Sequence, residues 1–246
     1  MPPIRLRFVG CGDAFAGGGR FNTCFLLEGD REPVLIDCGA TSLVALKRAG
    51  IDPASIGWVA LSHLHGDHFA GLAWLILDGA YAGRSRPLVI AGPVSTQERF
   101  KTMFEAIYPG ATSSERPFEI SFLEYAEAQP TQLGPATVTP FEVIHPSGAP
   151  PYALRIDYGA KTIGYSGDTE WTDSLLEAAR DTDLFVCECN FFERSRPGHL
   201  NYPTVWENRE RFGTRRLVLT HLSQDVLDHL DEVEIEVAED GLELEV

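Results

Sequence analysis

The sequence lacks long apolar runs and paired cysteines. No stretch reaches the roughly 20 consecutive apolar residues that cross a bilayer, so we expect no membrane association. Only five cysteines occur among 246 residues, without CxxC spacing, which argues against a disulfide scaffold. The opening MPPIRLRFVG has neither the charged start nor the apolar core of a signal peptide. These features predict a protein of the cytoplasm.

Positive charge is also scarce. Lysine and arginine total 20 against 36 acidic residues, which gives a formal net charge of -16. Such a chain repels polyanions at long range, and nucleic-acid affinity depends largely on neutralised phosphates. We therefore expect a small-molecule substrate and consider nucleic acid a disfavoured partner. With no linker or low-complexity run, the chain is interpreted as one domain over residues 1–246.

Short apolar runs alternate with helical patterns along the chain. NTCFLLE and PVLIDCG are typical of strands, and GDREP between them indicates a hairpin. Hairpins mixed with strand-helix units predict two sheets packed face to face with helices outside. The C-terminal VEIEVAEDGLELEV, with EDG at its centre, predicts a closing acidic hairpin.

The stretch LSHLHGDHFAG concentrates metal-binding side chains where a strand ends and a helix begins. His63 and His65 are two apart on a strand end, so they point the same way and can bind one ion. Asp67 and His68 fall on the other side of the turn and can bind a second ion. Packing these four side chains without a counter-ion would be costly, so the cluster predicts a metal site.

Three later residues each follow a predicted strand. His145 comes after FEVI, Asp168 after TIGYSG and His221 after RLVLT. The carboxylate of Asp168 can bridge two ions, and each histidine can complete one site. Imidazole and carboxylate ligands favour zinc, with manganese or iron as alternatives.

These motifs resemble a known family. SHLHGDH, His145, SGDT and LTHLS are similar to the ordered motifs of the metallo-β-lactamase superfamily. FVGCGDAFAGGGRFNTCFLL, LIDCGATS and ECNFF…GHLNYPT resemble its ribonuclease Z-like branch. The resemblance implies a four-layer αββα sandwich of α/β class with a dinuclear site at the sheet edges. It also implies that His63, His65 and His145 hold one ion, that Asp67, His68 and His221 hold the other, and that Asp168 bridges them.

The resemblance also implies a mechanism. Two divalent cations would hold a bridging hydroxide at neutral pH, and Asp67 would orient it as well as bind metal. His199, in RPGHLNYPT, matches a family histidine proposed to protonate the leaving oxygen. Arg194 and Arg196 lie just before it and are candidates for clamping a phosphate. An anionic phosphodiester suits the residual positive charge of such a site better than a neutral amide does.

Two departures from the family bear on the substrate. Members that process transfer RNA carry a basic arm between the motifs matching His145 and Asp168, but here YALRIDY and KTIGYSG fill that interval. The Glu and Gln expected after DCG are replaced by ATS. The sequence therefore predicts a metal-dependent hydrolase of small phosphodiesters, with cyclic nucleotides among the candidates. The alternatives on the same site are a ribonuclease Z-type RNA 3′-processing endonuclease and a carboxylic ester or lactone hydrolase, whose apolar groove walls would include Phe15, Phe21, Trp74 and Trp171.

Other classes fit the pattern less well. A redox di-iron centre of the flavoprotein type would place Glu where His65 stands. A non-catalytic scaffold would be expected to have lost ligands, whereas all seven positions are filled. Cys187 and Cys189 are interpreted as core packing, and His229, in acidic LDHLDE, is assigned no role. Since many members of the superfamily dimerise, a homodimer is a further possibility.

Overall fold

The computed structural model describes residues 3–246, and two sheets dominate it. The strands are β1 (Arg5–Gly10), β2 (Cys24–Glu28), β3 (Val34–Ile36), β4 (Trp58–Ala60), β5 (Leu88–Gly92), β6 (Ile120–Glu124), β7 (Thr131–Leu133), β8 (Ala136–Glu142), β9 (Tyr152–Tyr158), β10 (Lys161–Tyr165), β11 (Leu184–Glu188), β12 (Leu217–Thr220), β13 (Glu236–Val237) and β14 (Glu243–Glu245). The α-helices are α1 (Ser42–Arg48), α2 (Gly66–Phe69), α3 (Leu72–Tyr81), α4 (Thr96–Ile107), α5 (Ser174–Ala179), α6 (Tyr202–Asn208) and α7 (Gln224–Leu227).

Each sheet combines an antiparallel part with a parallel part. The first has the order β14-β1-β2-β3-β4-β5-β6, and the second β13-β12-β11-β10-β9-β8-β7. Strands β1 to β3 are antiparallel and β3 to β6 parallel, and in the second sheet β7 to β10 are antiparallel and β10 to β13 parallel. The predicted β2–β3 hairpin is confirmed, with Phe25 paired to Ile36.

Alternating side chains divide the interior into layers. In β2, Phe25 and Leu27 face the core between the sheets, while Cys24 and Leu26 face the helices. Helices α1, α3 and α4 cover the outer face of the first sheet, and α5, α6 and α7 cover that of the second. The predicted four-layer αββα sandwich is therefore confirmed.

The C-terminal segment departs from expectation. Instead of pairing with each other, β13 runs parallel to β12 and β14 runs antiparallel to β1, in different sheets. The predicted hairpin is therefore wrong. The backbone N–H of Ala238 donates to Leu219 in one sheet, and that of Gly241 donates to Phe8 in the other. The EDG turn thus carries the chain across the edge of the sandwich, and Ala238 and Leu244 both fill the core between the sheets.

The cysteines are all unpaired and buried. Cys187 and Cys189 lie in the core between the second sheet and its helices, in agreement with the packing interpretation. Among residues 3–246, each helix is too short or too polar to span a bilayer.

Candidate metal centre

Three histidines form the first group at the carboxyl ends of the strands. His63 and His65 lie between β4 and α2, and His145 follows β8. One ring nitrogen from each lies within 4.8 Å of the others. Nε2 of His145 is 2.9 Å from Nδ1 of His65. This spacing suits nitrogens that share one cation.

Two carboxylates and two histidines form the second group. Donor atoms of Asp67, His68, Asp168 and His221 lie within 4.8 Å of one another. Oδ2 of Asp67 is 3.2 Å from Nε2 of His68 and 3.2 Å from Nε2 of His221. The turn at α2 therefore contributes to both groups, with His65 in the first and Asp67 and His68 in the second.

Asp168 lies between the two groups. Its Oδ2 is 3.7 Å from Nε2 of His63, 3.9 Å from Nε2 of His145 and 3.4 Å from Nε2 of His221. Its Oδ1 is 3.3 Å from Nε2 of His68. The structure thus brings together all seven residues that the sequence singled out as ligands, with Asp168 at the centre.

The backbone is left-handed at two residues that position these side chains. Gly167, just before Asp168, has φ 58°, and a Cβ there would lie 2.6 Å from the carbonyl oxygen of Tyr152. His221 has φ 57° although it is not glycine. Glycine adopts this conformation without steric cost, whereas for a residue with a side chain, such as His221, it costs about 1–3 kcal/mol, and such residues cluster at functional sites.

The donor set fits divalent metal ions. Nε2 of His63, Nε2 of His68 and Oδ1 of Asp168 are buried without a hydrogen-bond partner. Unpaired buried polar atoms are costly, and here they converge on the same space. Neutral imidazoles and ionised carboxylates are ligands that zinc and similar ions prefer.

Protonation in the first group agrees with this fit. Burial and the neighbouring His68 lower the pKa of His63 well below its usual value. Burial also lowers the pKa of His65, and it lowers the pKa of His145 to about 4. These three imidazoles are therefore neutral at pH 7, which is the form that binds a metal ion.

The second group concentrates negative charge. Burial opposes ionisation of Asp67, but the adjacent His68 and His221 hold the pKa of its carboxyl well below the usual range. Burial likewise opposes charge on His68, yet Asp168, Asp67 and Asp37 raise its pKa well above normal. The carboxylates thus create a field that favours positive charge at this point, supplied by protons or by a cation.

Asp37 supports the second group and was missed by the sequence reasoning. Its Oδ2 lies 2.8 Å from Nδ1 of His68 and accepts hydrogen bonds from Ser62 Oγ at 2.8 Å and Tyr165 at 3.1 Å. Such a carboxylate fixes the orientation of a ligating histidine. Its position after β3, at the same edge as the other strand-end ligands, is the signal that could have found it.

Other histidines in the site are also held through their second ring nitrogen. Nδ1 of His63 is 3.1 Å from Ser62 Oγ, and Nδ1 of His145 is 2.7 Å from the carbonyl oxygen of Gly198. Nδ1 of His221 is 3.1 Å from the side-chain amide of Asn190. These contacts leave each Nε2 directed at the shared space.

Glu188 holds His199 at the site, and it is the second residue that the sequence analysis missed. Nδ1 of His199 lies 3.0 Å from Oε1 of Glu188, which also accepts the backbone N–H of Thr169 at 2.7 Å. The ring centroids of His199 and His145 are 5.0 Å apart. Burial opposes charge on His199, but the bond to Glu188 raises its pKa to about 9. The carboxylate of Glu188 therefore favours the protonated form of His199.

Five of the seven side chains line a cavity of about 500 Å³, namely those of His65, Asp67, His145, Asp168 and His221. Besides the ligands, its walls include Asp13, Phe15, Phe191, Arg196 and His199.

The two arginines differ in their relation to this cavity. Arg196 lines it, whereas Arg194 lines a neighbouring pocket and lies 3.5 Å from the carboxylate of Asp225. The structure thus separates these two residues.

Of the four aromatic residues considered as groove walls, only Phe15 lines the cavity. Phe21 and Trp74 pack against the helix-side core of the first sheet, and Trp171 against that of the second. These three are partly buried residues at the edge of the core.

Comparison with known sequences gives matches over nearly the whole chain. The family model described as "Anti-Pycsar protein Apyc1" matches residues 4–238. A Bacillus subtilis protein described as "Probable metallo-hydrolase YhfI" is 30% identical over 227 residues, covering 89% of this chain and 87% of that relative. "Ribonuclease Z" of Methanosarcina acetivorans is 27% identical over 304 residues, covering 99% of this chain and 98% of the relative.

Comparison with solved structures agrees. The crystal structure of the metallo-β-lactamase fold protein YhfI from Bacillus subtilis superposes with a TM-score of 0.79 at 27% identity, covering 99% of this chain and 100% of that one. Together these matches confirm the resemblance to the metallo-β-lactamase fold and its ribonuclease Z-like members.

Proposed function

Because the chain belongs to the family described as anti-Pycsar protein Apyc1, within the metallo-β-lactamase fold, we propose that this metal-dependent hydrolase cleaves small phosphodiesters. The observation that carries the proposal is the placement of Arg196 and His199 on the wall of a cavity that five of the seven ligand side chains also line. A phosphodiester anion would meet two cationic side chains there. Cyclic nucleotides are candidate substrates.

The ligands would be divided between two divalent ions, with zinc as the first choice and manganese or iron as alternatives. His63, His65 and His145 would hold one ion, and Asp67, His68 and His221 the other, with Asp168 contacting both. When bound, such ions supply Lewis-acid and hydrolytic chemistry. In addition to binding, the carboxylate of Asp67 faces the cavity and would orient the attacking water.

His199 would supply the proton that the leaving oxygen needs. Glu188 holds its Nδ1, which leaves Nε2 free of that bond and available to substrate. A positioned acid of this kind contributes about 10²- to 10⁴-fold to rate. Arg196 would bind a non-bridging phosphate oxygen through its guanidinium.

The connection between His145 and Asp168 favours a small substrate over RNA. Residues 146–167 are taken up by β9, β10 and short loops, so this interval carries no projecting arm. The formal charge of -16 further disfavours a polyanion. We also propose the cytoplasm as the location, since all five thiols are unpaired.

A substrate panel tests the proposal. Protein loaded with zinc or manganese, and a chelated control, would be assayed on bis(p-nitrophenyl) phosphate, a 3′,5′-cyclic nucleotide, p-nitrophenyl acetate, a lactone and a precursor transfer RNA. Metal-dependent turnover of the two small diesters is expected. Cleavage confined to the esters and lactone, or to the RNA, would overturn the proposal.

A further inference from the structure

The side chain of Phe15 is 92% exposed, although it is large and apolar. Isolated exposed apolar residues are common on protein surfaces and need no explanation by themselves. This one, however, lines the same cavity as the ligand atoms of His65, Asp67 and Asp168. Its exposed ring is therefore available for contact with a molecule bound in this cavity.

The loop that carries Phe15 is anchored on both sides of the ring. Before it, Oδ1 of the buried Asp13 accepts the backbone N–H of Gly17 at 2.7 Å. After it, the side-chain oxygen of Gln224 accepts the backbone N–H of Gly18 at 3.0 Å. Ala16 between them has φ 58°, a left-handed conformation that these bonds maintain. The backbone that carries the ring is thus held in a defined turn, which lowers the backbone entropy lost when a ligand binds against it.

A second aromatic ring lines the same cavity. Phe191 lines the cavity, and its carbonyl oxygen accepts the backbone N–H of Tyr202 at 2.9 Å. Pro197 also lines the cavity. A cavity of about 500 Å³ has room for more than a phosphate group.

We propose that Phe15 is a specificity residue that stacks on a planar unsaturated ring, such as a nucleobase, carried by the phosphodiester substrate. The proposal deepens the proposed function and rests on it for the nature of the substrate. Every base has a π-face, so stacking selects for a ring without selecting a particular base. An aliphatic diester would gain nothing from this contact.

The test compares ligands that differ only in the ring. Dissociation constants of adenosine 5′-monophosphate, uridine 5′-monophosphate and ribose 5-phosphate would be measured by calorimetry on the metal-loaded protein. We expect Phe15→Leu to raise the dissociation constants of both nucleotides by about 5- to 100-fold. The dissociation constant of ribose 5-phosphate should rise by less than about twofold. Phe15→Tyr, which keeps the ring, should restore nucleotide binding.

Tyr81 provides the matched control, because it is aromatic and 91% exposed but lines a different pocket. Tyr81→Leu should leave all three constants unchanged. The proposal is overturned if the nucleotides bind wild-type protein no more tightly than ribose 5-phosphate, or if Phe15→Leu weakens all three ligands equally. A change of oligomeric state in Phe15→Leu, seen by light scattering, would instead make Phe15 a contact between copies and also overturn it.

These binding measurements are independent of turnover. Base-dependent binding without hydrolysis of any phosphodiester would contradict the proposed function but not the stacking role of Phe15. Hydrolysis of diesters without base-dependent binding would contradict the stacking role but not the proposed function.

Discussion

Nδ1 of His68 lies 2.8 Å from Oδ2 of Asp37, and both side chains are fully buried. The contact joins the loop after β3 to the turn at α2. Because Asp37 also accepts the backbone N–H and hydroxyl of Ser62, the same carboxylate ties together two segments of the ligand set. Asp37 is therefore the main support of the second group of ligands.

Replacing Asp37 by Asn should weaken metal binding. Asn preserves the shape and tolerates the φ of 56°, but it no longer offers His68 a carboxylate. Loss of such a supporting contact lowers metal affinity by about 10- to 100-fold. Competition with a fluorescent chelator measures this. Asp183→Asn, at a carboxylate beside Lys161 and Arg215, is the control, and equal affinities in the two variants would refute the role of Asp37.

The substitution Asp67→Ala should abolish turnover without unfolding the protein. Its carboxylate faces the cavity, so its loss removes both a ligand and the group that orients water. Activity on bis(p-nitrophenyl) phosphate should fall at least about 100-fold, while the circular dichroism spectrum stays unchanged. Retained turnover in a sample of verified metal content would rule out this mechanism.

The effect of His199→Ala should depend on the leaving group. Loss of a proton donor matters most when the leaving oxygen is strongly basic, so the rate of hydrolysis of a cyclic nucleotide should fall by about 10²- to 10⁴-fold. The rate on a p-nitrophenyl ester, whose leaving group needs little protonation, should fall much less. His229→Ala is the control, because His229 stacks on Phe192 at 4.4 Å and does not line the cavity. Equal losses on both substrates would show that His199 is not the proton donor.

The two arginines should differ in kinetic effect. Arg196 lines the cavity, so Arg196→Ala should raise KM about tenfold or more through the loss of a charge-assisted hydrogen bond. Arg194→Ala should change KM little, because that side chain lies beside Asp225 instead. Steady-state kinetics on one diester compares both variants. A larger effect at Arg194 would reverse the assignment.

Removal of metal should lower thermal stability. Ligands that bind only the folded state add about 4 kcal/mol at a thousandfold excess over Kd. For a domain of this size that corresponds to a fall in Tm of roughly 8–16 °C on chelation. Differential scanning calorimetry with EDTA, followed by addition of zinc or manganese, should show the loss and its recovery. An unchanged Tm would mean that the ligand groups do not bind metal in the folded protein.

The sequence located the seven clustered side chains because the relevant signals are local. LSHLHGDH carries four of the predicted ligands in one turn, and each later one follows an apolar strand. The αββα architecture was predictable for the same reason, from the alternation of strands and helices. Such patterns survive in sequence because each depends on neighbouring residues.

Local sequence patterns did not predict the supporting roles of Asp37 and Glu188 or the pairing of the C-terminal strands. Asp37 acts on a histidine 31 positions away, and a single carboxylate after a strand has no distinctive pattern. Glu188 likewise gains its role only from the later loop that brings His199 to it. The EDG turn predicted a hairpin, but pairing of β13 with β12 and of β14 with β1 determines where those strands lie. Long-range pairing overrides a local turn signal.

The most direct test of the account is the number of metal ions per chain. Protein loaded with zinc and freed of excess would be measured by inductively coupled plasma mass spectrometry, beside Asp168→Ala. The account predicts two ions in the wild type and fewer than two in the variant, since Asp168 contacts both groups of ligands. A folded wild-type protein that holds one ion or none, or a variant that still holds two, would contradict it.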